Sequence, residues 1–278
     1  AQDYPALEIV VSDNGSTDGT EAYLRSFADP RLRVLKQAEN LGANGNFNAC
    51  LDAARGEYFL LLHDDDVLEP DLVSSALAAA GYRRDLGVLR VGTRVIDAAG
   101  RTLASNPNRT AGLSSAELFL AWFAKRTAFY FCSTLFNTAA LRGIGGLRTP
   151  ANVFEDVVAI ARLAARHGHA SVEGCKANFR LHGNNKGSTT DGVNAWLKDS
   201  LHLLQVLAEE MPEDAERLLR AGKPYLCARL YRYAATVPEP AKRLRTFAMI
   251  YRTCDYSYGP WRFLARRGWG RFKDRLRP

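Results

Sequence analysis

The stretch Leu61-Leu62-His63-Asp64-Asp65-Asp66 decides how this chain is read. It closes an apolar segment that begins at Tyr58 and has the pattern of a buried strand. Three consecutive carboxylates directly after such a strand do not belong to a core. Side by side they repel, and each ionised carboxylate costs several kcal/mol to bury without a partner. A divalent cation relieves this best. Hard oxygen ligands suit Mg²⁺ or Mn²⁺, which in turn bind phosphates. The ends of strands are also where ligands bind in open α/β sheets. The plain alternative is a solvated acidic turn leading into a helix, since Glu69-Pro70-Asp71 has the composition of a helix start.

Outward from this stretch, strand and helix patterns alternate. Strands are expected at Leu7–Val11, Leu32–Leu35, Val88–Ile96, Phe131–Phe136 and Ser171–Leu181. Helices are expected at 21–27, 43–54, 70–80, 113–123 and 152–166, the last with Val157, Ile160, Leu163 and Ala164 on one face. Such alternation implies an α/β domain with a mostly parallel sheet flanked by helices. Beyond Asp191 the apolar residues recur at helical spacing only, for instance Trp196, Leu197, Leu201, Leu204 and Leu207. We therefore expect an α/β domain over 1–190 and a helical, basic C-terminal appendage over 191–278.

The 278 residues are 47% hydrophobic and 24% charged, a globular balance that accommodates a domain with an appendage. No apolar run reaches the roughly 18 residues that a membrane span needs. Five cysteines are scattered without a C-x-x-C pair, which speaks against a disulfide framework or a zinc site. Together with the lack of a signal-like segment, they give the expectation of a reducing, cytoplasmic compartment. The net charge of +7 is uneven. Its excess concentrates in the last forty residues, in Lys242, Arg243, Arg245, Arg252, Arg262 and six further cations between Arg266 and Arg277. Trp261, Phe263, Trp269 and Phe272 are interleaved there, a mixture that suits an anionic membrane surface, so that a peripheral place at its inner face is expected and nucleic acid is not. A solvated basic tail with a few packed aromatics is the plainer reading.

Three stretches in this order resemble one family. They are E-I-V-V-S-D-N-G-S-T-D-G-T (8–20), E-N-L-G (39–42) with Asn48 eight residues after Asn40, and A-A-R-G-E-Y-F-L-L-L-H-D-D-D-V-L-E-P (53–70). Gly145-Gly146-Leu147, Glu155-Asp156 and Arg180-Leu181-His182 follow in matching order. Over about residues 4–190 the chain resembles the inverting family 2 glycosyltransferases of the GT-A fold. The resemblance implies transfer of a sugar from a UDP- or dTDP-sugar to a hydroxyl of a saccharide or lipid-linked acceptor, with Mn²⁺ or Mg²⁺ as cofactor, in surface polysaccharide or glycolipid assembly.

The resemblance also assigns roles. Asp13 accepts a hydrogen bond from a pyrimidine ring N–H, Asp64 lies near the ribose, and Asp65 is the main metal ligand. His182 is a second ligand, and Asp156 is the general base, with Glu155 orienting the acceptor or the base. Arg180 and Lys186 hold the diphosphate, and Asn40 and Asn48 line the nucleotide-sugar pocket. Each has an ordinary alternative: a turn or helix-cap residue for Asp13, acidic dipole partners at a helix start for Glu155 and Asp156, and turn or packing residues for the asparagines. His63 replaces a common Asp, so the first carboxylate of the usual Asp-x-Asp pair is gone, and Asp66 is left to a supporting place. Phe47 stands where an arginine often occurs. Family members usually begin with an additional strand before the position of Ala1, so the resemblance implies an N-terminally incomplete domain. The rival readings are an inactive or merely nucleotide-sugar-binding protein of the same fold, and a phosphate-handling hydrolase built on the acidic cluster.

Overall fold

The alternation of elements read above is present in the computed structural model, which describes residues 2–181, 192–255 and 257–265. The chain divides into two units, Ala1–His182 and Gly183–Pro278. In the first unit the order is β1 (Ile9–Asp13), α1 (Thr20–Arg25), β2 (Leu32–Lys36), α2 (Gly42–Ala53), β3 (Tyr58–Leu60), β4 (Val67–Leu68), α3 (Leu72–Ala79), β5 (Val88–Ile96), β6 (Thr102–Asn106), α4 (Ser115–Phe123), β7 (Thr134–Asn137), α5 (Thr138–Gly143), α6 (Glu155–His167) and β8 (His169–Arg180). The second unit holds α7 (Val193–Glu210), α8 (Ala215–Ala234) and α9 (Pro240–Thr253).

The class is α/β, but the sheet is mixed rather than mostly parallel. β1 and β2 form a parallel pair of their own, and the larger sheet runs β3-β7-β5-β8-β4 with β6 on β5. Only β5–β8 is parallel in that larger sheet; β3–β7, β5–β7, β5–β6 and β4–β8 are antiparallel. Alternation in the sequence implies parallel strands only where each helix is a full crossover. β6 instead returns from β5 through a tight turn, in which Gly100 N–H donates to the Asp97 carbonyl at 3.0 Å, so the pair must be antiparallel. β7 enters between β3 and β5 from a short 3-10 turn, Phe131–Ser133, against the direction of both.

One face of the larger sheet is covered by α3. Leu72, Ala76 and Ala80 meet Leu89 and Val91 of β5, Leu135 of β7 and Ala177 of β8 in a dry cluster. α4 is started by a capping box, in which Ser114 Oγ accepts from the Glu117 N–H and the Glu117 carboxylate accepts from the Ser114 N–H. In α6 the predicted face is buried: Val157, Ile160, Leu163 and Ala164 are at most 3% exposed. Burial of such side chains supplies roughly 1.5–3 kcal/mol each relative to leaving them in water.

The join that matters for the site lies between α2 and the Gly145-Gly146-Leu147 turn. Asn48 is buried on α2 and commits its whole amide there. Its Oδ1 accepts from the Leu147 N–H at 2.9 Å, and its Nδ2 donates to the carbonyls of Leu147 at 3.0 Å and Asn44 at 2.9 Å. Asn48 is thus a packing residue in this structure and not the pocket residue expected. Gly146 makes the approach possible. Its φ is +80°, and a Cβ there would lie 2.3 Å from Asn48 Oδ1.

Asn48→Ala strands the N–H of Leu147, whose carbonyl keeps the bond from Asn44 Nδ2, and should cost about 1–3 kcal/mol in urea unfolding. Gly146→Ala should destabilise by about 2 kcal/mol, through the left-handed backbone and the contact with Asn48. Because the contact is shared, the double variant should lose roughly 1 kcal/mol less than the sum of the single ones. Strict additivity would show that the two residues do not form one joint.

Candidate active site at the strand ends

The first two turns of α2 reach three separate parts of the chain. Asn46 exchanges two bonds with Ser12 of β1: Ser12 Oγ donates to its Oδ1 at 2.6 Å, and its Nδ2 donates to the Ser12 carbonyl at 3.2 Å. Phe47 stacks on His63, with ring centroids 5.2 Å apart. Asn44 Nδ2 donates to the Leu147 carbonyl at 2.6 Å and lies 3.3 Å from Glu155 Oε1. The start of the helix is held from the loop after β1. Leu41 N–H donates to Asn14 Oδ1 and Gly42 N–H to Asn40 Oδ1, each at 2.8 Å, and Asn14 Nδ2 joins Asn40 Oδ1 at 2.9 Å. Asn40, expected in the nucleotide-sugar pocket, is an exposed residue whose side-chain oxygen meets the Gly42 N–H at the helix start.

Asp13 ends β1 and is 5% exposed. Its Oδ1 accepts from the Ser16 N–H at 2.9 Å. Hydrogen bonds from Ser16 hold the carboxyl below the usual range, so it is ionised at neutral pH. Its Oδ2 is sealed from solvent and has no hydrogen-bond partner among the described residues. A buried carboxylate oxygen left in this state costs free energy unless a ligand donor meets it.

The acidic run follows β3, and its members diverge. Asp64 is exposed, Asp65 is half-buried, and Asp66 is 8% exposed. Ligand atoms of His63, Asp65 and Asp66 lie within 4.8 Å of one another, a spacing that could hold a cation. His63 Nδ1 is 3.9 Å from Asp66 Oδ2, and its Nε2 is buried without a hydrogen-bond partner among the described residues. Burial pushes the Asp66 carboxyl up from the usual range; the Arg180 N–H opposes this, and the charge of Asp65 adds to it. Buried Cys132 donates its thiol to Asp66 from below, and the same burial pushes that thiol well up.

Arg180, at the end of β8, bonds to the acidic loop. Its backbone N–H donates to Asp66 Oδ1 at 2.8 Å and its Nε to the Asp65 carbonyl at 2.8 Å. One terminal nitrogen donates to the carbonyls of Asp97 at 3.0 Å and Ala98 at 3.1 Å. The guanidinium therefore clamps the acidic loop to the β5–β6 turn.

Glu155 and Asp156 open α6, as the helix pattern predicted. Glu155 is 6% exposed and faces Asn44, while Asp156 Oδ1 accepts from the Val157 N–H at 2.8 Å. Beneath them lies Arg90 of β5, fully buried, with Asn108 Oδ1 at 3.1 Å, Thr127 Oγ1 at 3.4 Å and the Phe129 ring 4.3 Å from its guanidinium carbon. Burial lowers the Arg90 pKa to about 9, with the charge of Asp156 opposing the fall, so the guanidinium stays charged at neutral pH.

Asp13, the acidic run and Glu155 are thus gathered around one helix start. His182 and Lys186 lie outside the described residues. The sequence sets His63 aside as a replaced carboxylate and gives no role to Asn44, Asn46 and Arg90. A trace of each was present: Asn44, Asn46 and Asn48 make an unusually polar, helix-disfavouring run inside a helical pattern, and Arg90 interrupts the apolar strand Val88-Leu89-Arg90-Val91.

Residues 1–145 match the sequence model of the family described as Glycosyl transferase family 2. Over 93 residues the chain is 38% identical to the GalNAc(5)-diNAcBac-PP-undecaprenol beta-1,3-glucosyltransferase of Campylobacter jejuni, covering 32% of this chain and 29% of that protein. It is 39% identical over 71 residues to the succinoglycan biosynthesis protein ExoO of Rhizobium meliloti, covering 26% and 20%. It is 37% identical over 106 residues to the chondroitin synthase of Escherichia coli, covering 37% and 15%. The similar segments span less than a third of each of these relatives. The crystal structure of S. aureus TarS 1–349 superposes with a TM-score of 0.51 at 15% identity, covering 92% of this chain and 83% of that one, a likeness of fold of the GT-A type. The family match runs over more than half of the chain and takes in Asp13, the α2 asparagines and the acidic run, and the chain belongs to glycosyl transferase family 2.

Proposed function

We propose that the chain is a metal-dependent inverting glycosyltransferase. It moves a sugar from a UDP- or dTDP-sugar to a hydroxyl of a saccharide or lipid-linked acceptor, in surface polysaccharide or glycolipid assembly. The observation that carries this reading is the sealed, unpartnered Oδ2 of Asp13 at a strand end, held by α2 together with the acidic run. An ionised acceptor in that state suits the imide N–H of a uracil or thymine ring. Family membership, and the C. jejuni and E. coli relatives whose names describe a glucosyltransferase and a chondroitin synthase, support the class of reaction.

Asp64, exposed on the loop, is assigned to the ribose. His63, Asp65 and Asp66 fit a divalent cation by donor type and spacing, and the imidazole favours Mn²⁺ over Mg²⁺. When bound, such an ion supplies positive charge to the diphosphate leaving group. His182 and Lys186 are assigned by resemblance to the metal and the diphosphate. Asp156 takes the proton from the acceptor hydroxyl as the sugar leaves the nucleotide from the opposite side, with the Arg90 charge acting on it. Glu155, tied to Asn44, orients the acceptor.

No helix among the described residues is long and apolar enough to cross a membrane. Leu244, Trp261 and Leu264 are 68%, 57% and 52% exposed in the second unit, beside Arg243, Arg245 and Arg262. We assign this surface, with the basic residues after it, to an anionic lipid headgroup layer.

Thermal shift with UDP- and dTDP-sugars in the presence of Mn²⁺ tests the donor class. A ligand at 100 times its dissociation constant stabilises by roughly 2.7 kcal/mol. Asp65→Ala should abolish the Mn²⁺-dependent part of that shift while the protein stays folded; an undiminished shift would sink the metal assignment. Binding without transfer to any acceptor would leave a nucleotide-sugar-binding protein.

Asp156→Asn should leave donor binding intact and lower transfer by about 10²–10⁴-fold, since the amide cannot take the acceptor's proton. A wild-type rate with a lowered melting temperature would reduce Asp156 to a helix-start residue.

The full chain should bind anionic vesicles more tightly than neutral ones, with each cation at the surface contributing roughly 1 kcal/mol and added salt weakening the effect. Sedimentation with the two vesicle types checks this, and equal partitioning refutes it.

A further inference from the structure

A cleft of about 260 Å³ in the first unit is lined from two segments, the end of β6 with the residues after it and the turn after α4. Arg109, Lys125 and Arg126 line it, with Ser105, Asn106 and Thr127 beside them, and no carboxylate does. The Arg109 Nε donates to Glu173 Oε1 at 2.9 Å, which fixes that guanidinium. The side chains of Ser105, Asn106, Lys125 and Arg126 make no hydrogen bond or ion pair among the described residues.

The walls of the cleft are rigid. α4 ends in a Schellman turn: the Lys125 N–H donates to the Trp122 carbonyl at 2.9 Å and the Arg126 N–H to the Ala121 carbonyl at 2.8 Å. Lys125 occupies the left-handed position of that turn, with a φ of +59°. Glycine is the usual residue there, because a side chain at positive φ is strained. A lysine kept in this conformation points to a use for its charge. Next in the chain, Thr127 is buried and donates its hydroxyl to Asn108 Oδ1 at 2.9 Å, which also accepts from Thr110 Oγ1 at 2.7 Å and from Arg90 at 3.1 Å. Cations at a helix C-terminus gain from its dipole. That gain needs no positive φ, and it does not account for Arg109, which comes from another segment.

We propose that this cleft is an anion site that takes a phosphoryl group, as a phosphate ester or a diphosphate. Lys125 and Arg126 repel each other, and a multiply charged anion between them relieves the repulsion. The Arg126 guanidinium offers a fork that matches phosphate oxygens, the Lys125 ammonium a point charge, and the Ser105 hydroxyl and Asn106 amide neutral donors. A carboxylate meets such a set with two oxygens, a phosphate ester with three and with more charge. None of these residues belongs to the strand-end site, where the metal cluster is assigned to the donor diphosphate. The group bound is either a free phosphate compound or the phosphate end of a lipid-linked acceptor, and the second use rests on the transfer reaction proposed above.

The test is calorimetric titration of the full chain in metal-free buffer with inorganic pyrophosphate, a short-chain prenyl diphosphate and, as a dicarboxylate control, malonate. Pyrophosphate should bind one to one. Lys125→Gln combined with Arg126→Gln should weaken it at least about tenfold and leave Mn²⁺-dependent UDP binding unchanged. Lys125→Gly should also weaken it, yet raise the melting temperature by roughly 2 °C, since glycine relieves the left-handed position. A prenyl diphosphate held more tightly than pyrophosphate assigns the site to a lipid-linked acceptor, and equal affinities assign it to free phosphate compounds. No pyrophosphate binding, binding undiminished in the double variant, or malonate held as tightly as pyrophosphate would each overturn the proposal. If the wild type binds pyrophosphate but no UDP with Mn²⁺, the anion site stands and the donor reading falls.

Discussion

The first two turns of α2 are the constraint on which the catalytic unit depends. They read G-A-N-G-N-F-N, a poor helix sequence by propensity. The helix persists because its polar side chains are consumed by tertiary bonds. Asn46 holds the end of β1, Asn44 meets Glu155, Phe47 stacks on His63, and Asn48 is sutured to Leu147. Hydrogen bonds of this sort contribute only about 1 kcal/mol each in net terms. Their importance lies in geometry, because one rigid rod sets the distances among three segments far apart in the sequence.

The acidic run poses the opposite problem. Its carboxylates are brought together at the mouth of a sheet, where water is partly excluded and repulsion is strong. Arg180 answers with its guanidinium on three carbonyls and its backbone N–H on Asp66, so that the loop is fixed to the β5–β6 turn. Arg90 plays a comparable part below Asp156: its hydrogen bonds are made to neutral groups, and its charge is left to act on the nearby carboxylate. In both places an arginine is structural in its bonds and electrostatic in its effect.

The helical unit follows a different logic. Tyr231 sits fully buried at its centre, packed edge-on against Phe247 at 5.1 Å and beside Phe263 at 5.7 Å, with its hydroxyl bonded to the Tyr258 carbonyl. The aromatic cluster adds to the burial of Leu203, Leu207, Leu218, Leu226 and Leu230 in the same unit. It leaves the α9 end dependent on a few polar ties, among them Lys223 to Asp255.

Local pattern carried much of this. Helical spacing in 152–166, the apolar strand before the acidic run and the change of character near Asp191 were legible because burial imposes a period on the residues that form each element. The order of the motifs carried the family. What local pattern did not contain was direction and partnership. The sheet is mixed because β6 and β7 return rather than cross over, and turn geometry decides that, not periodicity. Asn40, Asn48 and Arg180 stand where the motifs put them, yet their polar atoms are taken by backbone groups up to 115 residues away. His63 was discounted as a substitution and is drawn into the cluster by stacking on Phe47. A side chain's type is written in the sequence, but which of its neighbours claims its hydrogen bonds is settled only when the fold decides which groups are denied water.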